Sequence, residues 1–576
     1  MTRDQFELLA PGGDLDSIKA AIAAGADAIY CGLDRFNARN RATNLTLDNL
    51  SGVLTLAHQH SCKIFLTLNV LILESEIPAL VRLLSQLNTT KIDGVIVQDL
   101  GLAYILKHHF PDLDLHASTQ LNTHNEGQIL FLNQLTASRV NLSRELNIDE
   151  IKHLAQFGRE HYVYTVVDNW RQQIDRFCDG VELSNDTTEL YTVFNRDFSN
   201  AFLQGDFGKA MYIDNPRDHA VKHFSKIYKC ESANDVQGVK KKLYDDKTAI
   251  IEKVAEQTKS FDVTSTQVSG SSLKGSIDVP TLPALPQPEP RQGAPKLSVL
   301  ISSAQEAMLC EYHDIDVYYQ LSMGLSGELS AMIELFQANP MLKPWFPAIL
   351  IGEDYQSARV FLETIQPELL ITNNSGVGMI AKELGLGWVA GPQMNTVNSY
   401  AFKCLQDEFA ASGAFVSNEL NMKQMRHIKR PHNMRSFYSI YHPNTLLTSR
   451  QCLFQQTEGC RKVKVNKGCL KRCDKRTSII NLKDNPYVVQ KQKGSHNSIY
   501  SEHNVLNLQV LHDLPQLFTD VLIDLRDIQT ETKVSASKPE LIDAFLALLE
   551  EHSEQTVQTL NAMIQPTANA QYLKGL

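Results

Sequence analysis

His116-Ala-Ser-Thr-Gln120-Leu-Asn122-Thr-His-Asn125 has a counterpart far downstream, Val389-Ala-Gly-Pro-Gln393-Met-Asn395-Thr-Val-Asn398. The match continues: Ser143-Arg-Glu145-Leu-Asn147-Ile-Asp-Glu-Ile-Lys-His153 is echoed by Ser417-Asn-Glu419-Leu-Asn421-Met-Lys-Gln-Met-Arg-His427. Two blocks in the same order, at separations that agree within a residue, mean duplicated units rather than chance.

Working outward, short β-rich runs alternate with longer amphipathic segments: Glu7 to Ala10, Ala28 to Gly32, Lys63 to Asn69, Gly94 to Asp99, Leu113 to Ser118 and Arg139 to Ser143. Near-continuous apolar runs such as Ile64-Phe65-Leu66-Thr67-Leu68 belong to parallel strands buried on both faces. A strand about every thirty residues favours an α/β barrel over a doubly wound sheet. The expected fold class is therefore α/β, with two tandem TIM-barrel-like repeats. At 576 residues the chain has room for two barrels of roughly 250 residues each.

The predicted division is an N-terminal incomplete barrel over 1–170, an extension over 171–255, a Pro/Ser-rich linker over 256–296, a C-terminal barrel repeat over 297–555 and a tail over 556–576. Pro280, Pro283, Pro286, Pro288, Pro290 and Pro295 make the linker a semi-rigid spacer. The first barrel reads as incomplete because the copies diverge. Copy two runs through Phe437-Tyr-Ser-Ile-Tyr441-His442 into a cysteine-rich segment and later supplies the strand Val521-Leu-Ile-Asp-Leu-Arg526-Asp527. Copy one passes from Phe157 straight into Gly158-Arg159, which reads as a remnant of that late strand's end. One or two strands are therefore expected to be missing.

Apolar residues make up 43% of the chain and charged residues 21%, an ordinary globular composition. With no leader pattern and no run long enough to cross a bilayer, a cytoplasmic protein without membrane insertion is expected. In that reducing compartment the ten cysteines should be thiols or metal ligands. Cys452, Cys460, Cys469 and Cys473 cluster as C-x7-C-x8-C-x3-C. Four thiolates suit an iron-sulfur cluster or tetrahedral zinc, and the long gaps fit paired zinc knuckles less well. Unliganded thiols are the third reading.

The net charge of -10 argues against whole-surface binding to nucleic acid, yet residues 421–476 carry fourteen Lys or Arg against Glu458 and Asp474 alone. Such an excess is an anion footprint for RNA phosphates or for a phosphorylated or carboxylate small molecule; the competing reading is a solvated loop that balances anionic thiolates. Gln393, Asn395, Arg450, Lys471 and Arg472 are the candidate substrate-binding residues. Strand-end positions, where barrels place chemistry, are Glu353, Asn373, Asn374, Gln393, Asn395, Glu419 and His442 in copy two. In copy one they are Asn69, Asp99, Gln120, Asn122, Arg144 and Glu145. A loop-tying hydrogen bond competes as the role of each. Glu419 and His442 form the candidate catalytic pair, a carboxylate and an imidazole for proton transfer. The signatures of zinc proteases, serine hydrolases and P-loop enzymes do not occur.

Leu8-Leu9-Ala10-Pro11-Gly12-Gly13, Gly25-Ala26-Asp27-Ala28-Ile29-Tyr30-Cys31-Gly32, Leu115-His116-Ala117-Ser118-Thr119-Gln120 and Leu142-Ser143-Arg144-Glu145-Leu146 together resemble the peptidase U32 family. Asn195-Arg196-Asp197-Phe198-Ser199 is similar to the family's segment after the barrel, and Ser449-Arg450-Gln451-Cys452 to the start of its cysteine region. The family was named for collagenase-like proteolysis, and it includes oxygen-independent hydroxylation proteins that carry a four-cysteine [4Fe-4S] cluster and act on RNA bases or a quinone precursor. The resemblance thus implies an iron-sulfur hydroxylase, or a subunit of one, acting on an RNA nucleobase or a similar aromatic substrate. The alternatives are a collagenase-like peptidase and a non-catalytic RNA-binding or assembly partner with a structural metal site. In that last reading the incomplete first barrel serves to dock a protein partner.

Overall fold

The computed structural model describes residues 7–38, 45–161, 163–167, 256, 258–259, 261, 278–286, 293–450, 452–454, 460, 469, 473–480, 486–494 and 496–576. The chain divides into two compact units, residues 1–67 with 91–93 and 169–274, and residues 68–90 with 94–168 and 275–576. The first unit carries β1 (Leu9–Gly12), β2 (Ala28–Gly32) and β3 (Lys63–Leu68), parallel neighbours in chain order. The apolar runs of β2 and β3 are buried on both faces, as the sequence led one to expect, while β1 alternates between buried and half-buried residues.

In the second unit β4 (Gly94–Val97), β5 (Leu115–Ala117), β6 (Ala137–Leu142) and β7 (Tyr164–Val167) are again parallel and in chain order. They alternate with helices α1 (Leu100–His109), α2 (Glu126–Gln134) and α3 (Ile148–Glu160). The sequence reading did not anticipate β7. Gly158 and Arg159 are not a strand remnant; they lie in the last turn of α3, and the chain then enters β7. Among the described residues the first repeat thus contributes three parallel strands to the first unit and four to the second, fewer than the eight of a closed barrel.

The second repeat runs through β8 (Lys296–Ile301), β9 (Ile315–Gln320), β10 (Lys343–Phe346), β11 (Leu369–Thr372), β12 (Gly387–Ala390), β13 (Gly413–Phe415) and β14 (Arg435–His442). An insert follows: β15 (Thr445–Ser449), β16 (Arg476–Ile480), β17 (Pro486–Lys491) and β18 (Asn497–Tyr500) form an antiparallel sheet in the order β15-β18-β17-β16. Short β19 (Val505–Leu506) pairs antiparallel with the end of β14. Then β20 (Asp520–Asp524) enters between β14 and β8 and closes an eight-stranded parallel barrel. Every barrel strand sends a side chain into one buried cluster: Leu300, Tyr318, Trp345, Leu369 and Ile371, Val389, Phe415, Phe437 and Leu522. The interior is packed rather than open, as barrels require. Its amino end is tied by ion pairs, Asp316 holding Lys296 at 2.7 Å and Lys343 at 2.6 Å and Asp520 holding Arg435 at 2.5 Å. The carboxyl end is left for chemistry.

The duplication is visible atom for atom. Asn122 and Asn395 both sit in the left-handed region, with φ of 50° and 54°, after single 3-10 turns. Thr123 bridges Leu142 as Thr396 bridges Val416. Asn125 caps α2, and Asn398 caps α5 (Ser399–Phe409), which follows α4 (Ser375–Glu383). Each cap also reaches into the other repeat. Asn125 Nδ2 donates to Leu350 O at 3.0 Å and to Asn374 Oδ1, at the head of α4, at 3.3 Å. Asn398 Nδ2 donates to Ile72 O at 2.8 Å and to Asp99, at the head of α1, at 3.0 Å. The repeats thus meet with α1 on α5 and α2 on α4.

Glycine permits this approach. A methyl group on Gly376 would stand 2.3 Å from Asn125 Oδ1, and one on Gly101, the equivalent position, 2.1 Å from Asn398 Oδ1. Helix propensity alone would favour Ala at either site by about 1 kcal/mol. Overpacking costs about 1–3 kcal/mol and should win, so Gly101→Ala and Gly376→Ala should each lower the melting temperature measured by calorimetry. Gly13→Ala, with nothing within 4 Å of the added carbon, should leave it unchanged; equal melting of all three would refute the interface.

Candidate functional site

Cys452 follows the end of β15 and Cys473 precedes β16, and these strands are the opposite edges of the insert sheet. Phe454 is buried against Val489 of β17 and Ile499 of β18, with Cys452 and Leu453 packed alongside. Cys460 N donates to Phe454 O at 3.3 Å. None of the four cysteines is in a disulfide, and each is half-buried.

Lys491, the last residue of β17, donates to Gly494 O at 2.5 Å and to His496 O at 3.1 Å. Burial lowers the pKa of its ammonium, while Cys473, Cys452 and Cys469 lie close enough for their charge to pull it back up. Three of the four cysteines thus share their electrostatic surroundings with Lys491. As a donor set, four thiolates match a [4Fe-4S] cluster or zinc in kind. Among the described residues, no group of three or more His, Cys, Asp or Glu converges to the geometry that would grasp an ion.

The root of the segment is held by the first repeat. Ser449 Oγ donates to Glu145 Oε1 at 2.6 Å, and Arg450 N to Glu145 Oε2 at 2.9 Å. The Arg450 guanidinium makes a two-pronged pair with Glu150, Nη1 to Oε2 at 2.7 Å and Nη2 to Oε1 at 2.9 Å, and adds Glu145 O at 3.0 Å. Such fork-to-fork pairing fixes orientation as well as position. Glu150 is itself held by the capping box of α3, accepting Asn147 N at 2.7 Å.

A second polar group lies at the carboxyl ends of β9, β14 and β20. Arg526 donates through Nε to Asp524 Oδ1 at 2.8 Å, through Nη2 to Asp524 Oδ2 at 2.5 Å and through Nη1 to Gln320 Oε1 at 3.4 Å. Gln492 Nε2 reaches Tyr500 OH at 3.0 Å, and burial raises the pKa of that phenol, with the charges of Arg526 and Asp524 acting on it. His442 Nδ1 stands 3.2 Å from Pro443 O. Its Nε2 is buried without a hydrogen-bond partner among the described residues. Burial lowers the pKa of His442, Asp524 raises it and Arg526 lowers it again, so a neutral ring with its proton on Nδ1 presents a lone pair at Nε2.

The sequence paired His442 with Glu419, and the structure does not: Glu419 is exposed, and the charges acting on His442 are those of Asp524 and Arg526. Gln393 is exposed, with its backbone N–H on Asn373 Oδ1 at 2.9 Å, and Asn395 shapes the left-handed turn. Asp99 and Asn374 are buried helix caps. Arg450 is engaged by Glu145 and Glu150, and Lys471 and Arg472 lie outside the described residues. Sequence reasoning missed Gln320, Asp524, Arg526, Tyr500 and Lys491. The strand-end rule could have found Asp524 and Arg526, which close a strand already recognised.

The model of peptidase family U32 matches residues 13–158 and 353–575. The 23S rRNA 5-hydroxycytidine C2501 synthase of Escherichia coli is 38% identical over 26% of this chain and 23% of its own length. The tRNA hydroxylation protein P of Haemophilus influenzae is 35% identical over 27% of this chain and 34% of its own, and a collagenase of Porphyromonas gingivalis 32% identical over 26% and 36%. The aligned stretch thus spans a quarter to a third of each relative. The family match takes in Glu145 and Glu150 in the first repeat and Arg450, the four cysteines and Arg526 in the second, and the chain belongs to peptidase family U32.

Proposed function

We propose that this protein is an iron-sulfur-dependent hydroxylase, or a subunit of one, that acts on an RNA nucleobase. The observation that carries the reading is the cysteine segment itself: its root is ion-paired to the first repeat, and the charges of three of its cysteines act on Lys491. The likeness to the rRNA 5-hydroxycytidine synthase and to the tRNA hydroxylation protein supports RNA as the substrate. The fourteen basic residues between 421 and 476 offer an electrostatic footing for phosphates.

Cys452, Cys460, Cys469 and Cys473 would hold the cluster, which supplies one-electron chemistry when bound. Around it Arg450, Glu145 and Glu150 orient the segment, and Lys491 offsets the negative charge of the thiolates. At the barrel mouth His442 Nε2 is an acceptor for a proton, with Arg526 beside it held in place by Asp524 and Gln320. The collagenase relative favours a second reading, peptide hydrolysis, in which His442 would activate a water molecule.

Anaerobic purification should yield about four irons and four sulfides per chain, and both should be lost in Cys452→Ser and Cys469→Ser. One zinc without sulfide would sink the redox reading. RNA from a deletion strain should lack one hydroxylated nucleoside by mass spectrometry; unchanged RNA, with collagen cleavage that His442→Ala abolishes, would establish the peptidase instead. Glu150→Gln removes one prong of the anchor and should loosen the segment by about 1–3 kcal/mol. Trypsin should then cut it at least about fivefold faster, and an unchanged rate would refute the anchor.

A further inference from the structure

The insert sheet ends in a row of backbone neighbours. Ser449 of β15 stands opposite Asn497 of β18, Asn497 stands opposite Lys491 of β17, and Lys491 N donates at 3.0 Å to the carbonyl of Lys475, just ahead of β16. Cys452 lies three residues beyond Ser449 and Cys473 two residues before Lys475, so both ends of the cysteine segment leave the sheet from this row. Two residues of chain reach at most about 7 Å and neighbouring strands lie about 5 Å apart, which places the Cα atom of Cys473 within about 12 Å of that of Lys491.

The half-buried Lys491 side chain folds back on the turn that follows it. Its ammonium donates to the carbonyls of Gln492, of Gly494 at 2.5 Å and of His496 at 3.1 Å, which takes all three of its donors. That turn is itself seated: an added carbon on Gly494 would stand 3.1 Å from Gly324 N, in the loop after β9, and Lys493 Nζ reaches Glu328 at 2.9 Å. Carbonyls carry no net charge, so the cage fixes the ammonium without cancelling it. Two neighbouring cations differ, Arg450 being answered by Glu150 and Lys493 by Glu328. The charges that act on Lys491 are those of Cys473, Cys452 and Cys469.

A charge held in place before a reaction stabilises whatever opposite charge develops beside it, and the net charge around a thiolate-held cluster is one of the levers on its reduction potential. We infer that Lys491 is a fixed positive charge that raises the reduction potential of the cluster held by Cys452, Cys460, Cys469 and Cys473, an inference that rests on the iron-sulfur reading above. One electron enters from an external donor, no bond forms or breaks and no proton moves; the lysine stabilises the negative charge that is added. At an effective dielectric constant of about 20, a unit charge about 12 Å away changes such an equilibrium about tenfold. For a one-electron couple that is about 59 mV.

The test uses the full chain, purified anaerobically and titrated with dithionite while the reduced cluster is followed by electron paramagnetic resonance. Lys491→Gln keeps a hydrogen-bond donor and removes the charge: its midpoint potential should fall by about 59 mV, an about tenfold weaker hold on the electron, with the iron content of wild type. Lys491→Arg, which keeps the charge, should hold the wild-type value. Lys296→Gln, which removes a cation at the amino end of the second barrel, should hold it too. An unchanged midpoint in Lys491→Gln, or an equal fall in either of the other two variants, overturns the tuning role and leaves the cluster standing. Should Lys491→Gln lose its iron, Lys491→Arg decides: iron retained at the wild-type midpoint upholds the role of the charge, and iron lost from both variants overturns it in favour of a role in folding the segment. A wild type without iron overturns this inference together with the iron-sulfur reading.

Discussion

One carboxamide, used twice, holds the two repeats together. Asn125 accepts the Gln128 N–H through Oδ1 at 3.0 Å and donates across the interface through Nδ2. Asn398 does the same with Ala401 N at 2.9 Å and with Asp99. Each side chain is spent on capping its own helix and on reaching the head of a helix in the other repeat. Because the groups are buried, losing either half would strand a polar atom away from water, at a cost above that of an ordinary exposed cap.

The site depends on that lock. With α1 on α5 and α2 on α4, the end of β6 meets the chain leaving β15, and Glu145 and Glu150 take hold of Ser449 and Arg450. The repeats have divided the work: the complete barrel carries the cysteines, and the incomplete one orients them. The same division appears in the polar groups, since His442 and Arg526 belong to the second barrel while Glu145 and Glu150 belong to the first repeat.

How far the sequence could be read follows from this design. Asn122 and Asn395 were legible as a repeat because a left-handed turn followed by a helix cap admits few residue types. The closed barrel was legible from buried apolar runs. The partnership of Arg450 with Glu150 spans 300 positions, and nothing local in either segment announces it. β7 was hidden because it begins directly after α3 without Gly or Pro punctuation. Glu419 and His442 both lie near strand ends, but a barrel mouth has many such positions, and proximity to the rim does not choose a partner. The cysteine spacing named a donor set and not its convergence.

The reciprocal cap contacts also change what the connection between the repeats is for. Each repeat presents a donor amide and a helix head to the other, so the face is complementary without any help from the chain that joins them. What the proline-rich stretch supplies is then effective concentration: it turns a bimolecular encounter into an intramolecular one and guarantees a single barrel of each kind per assembly. Two separate chains bearing the same faces would form the same joint at a rate set by their abundance. Tethering removes that dependence and keeps every cysteine segment supplied with its own acidic anchor.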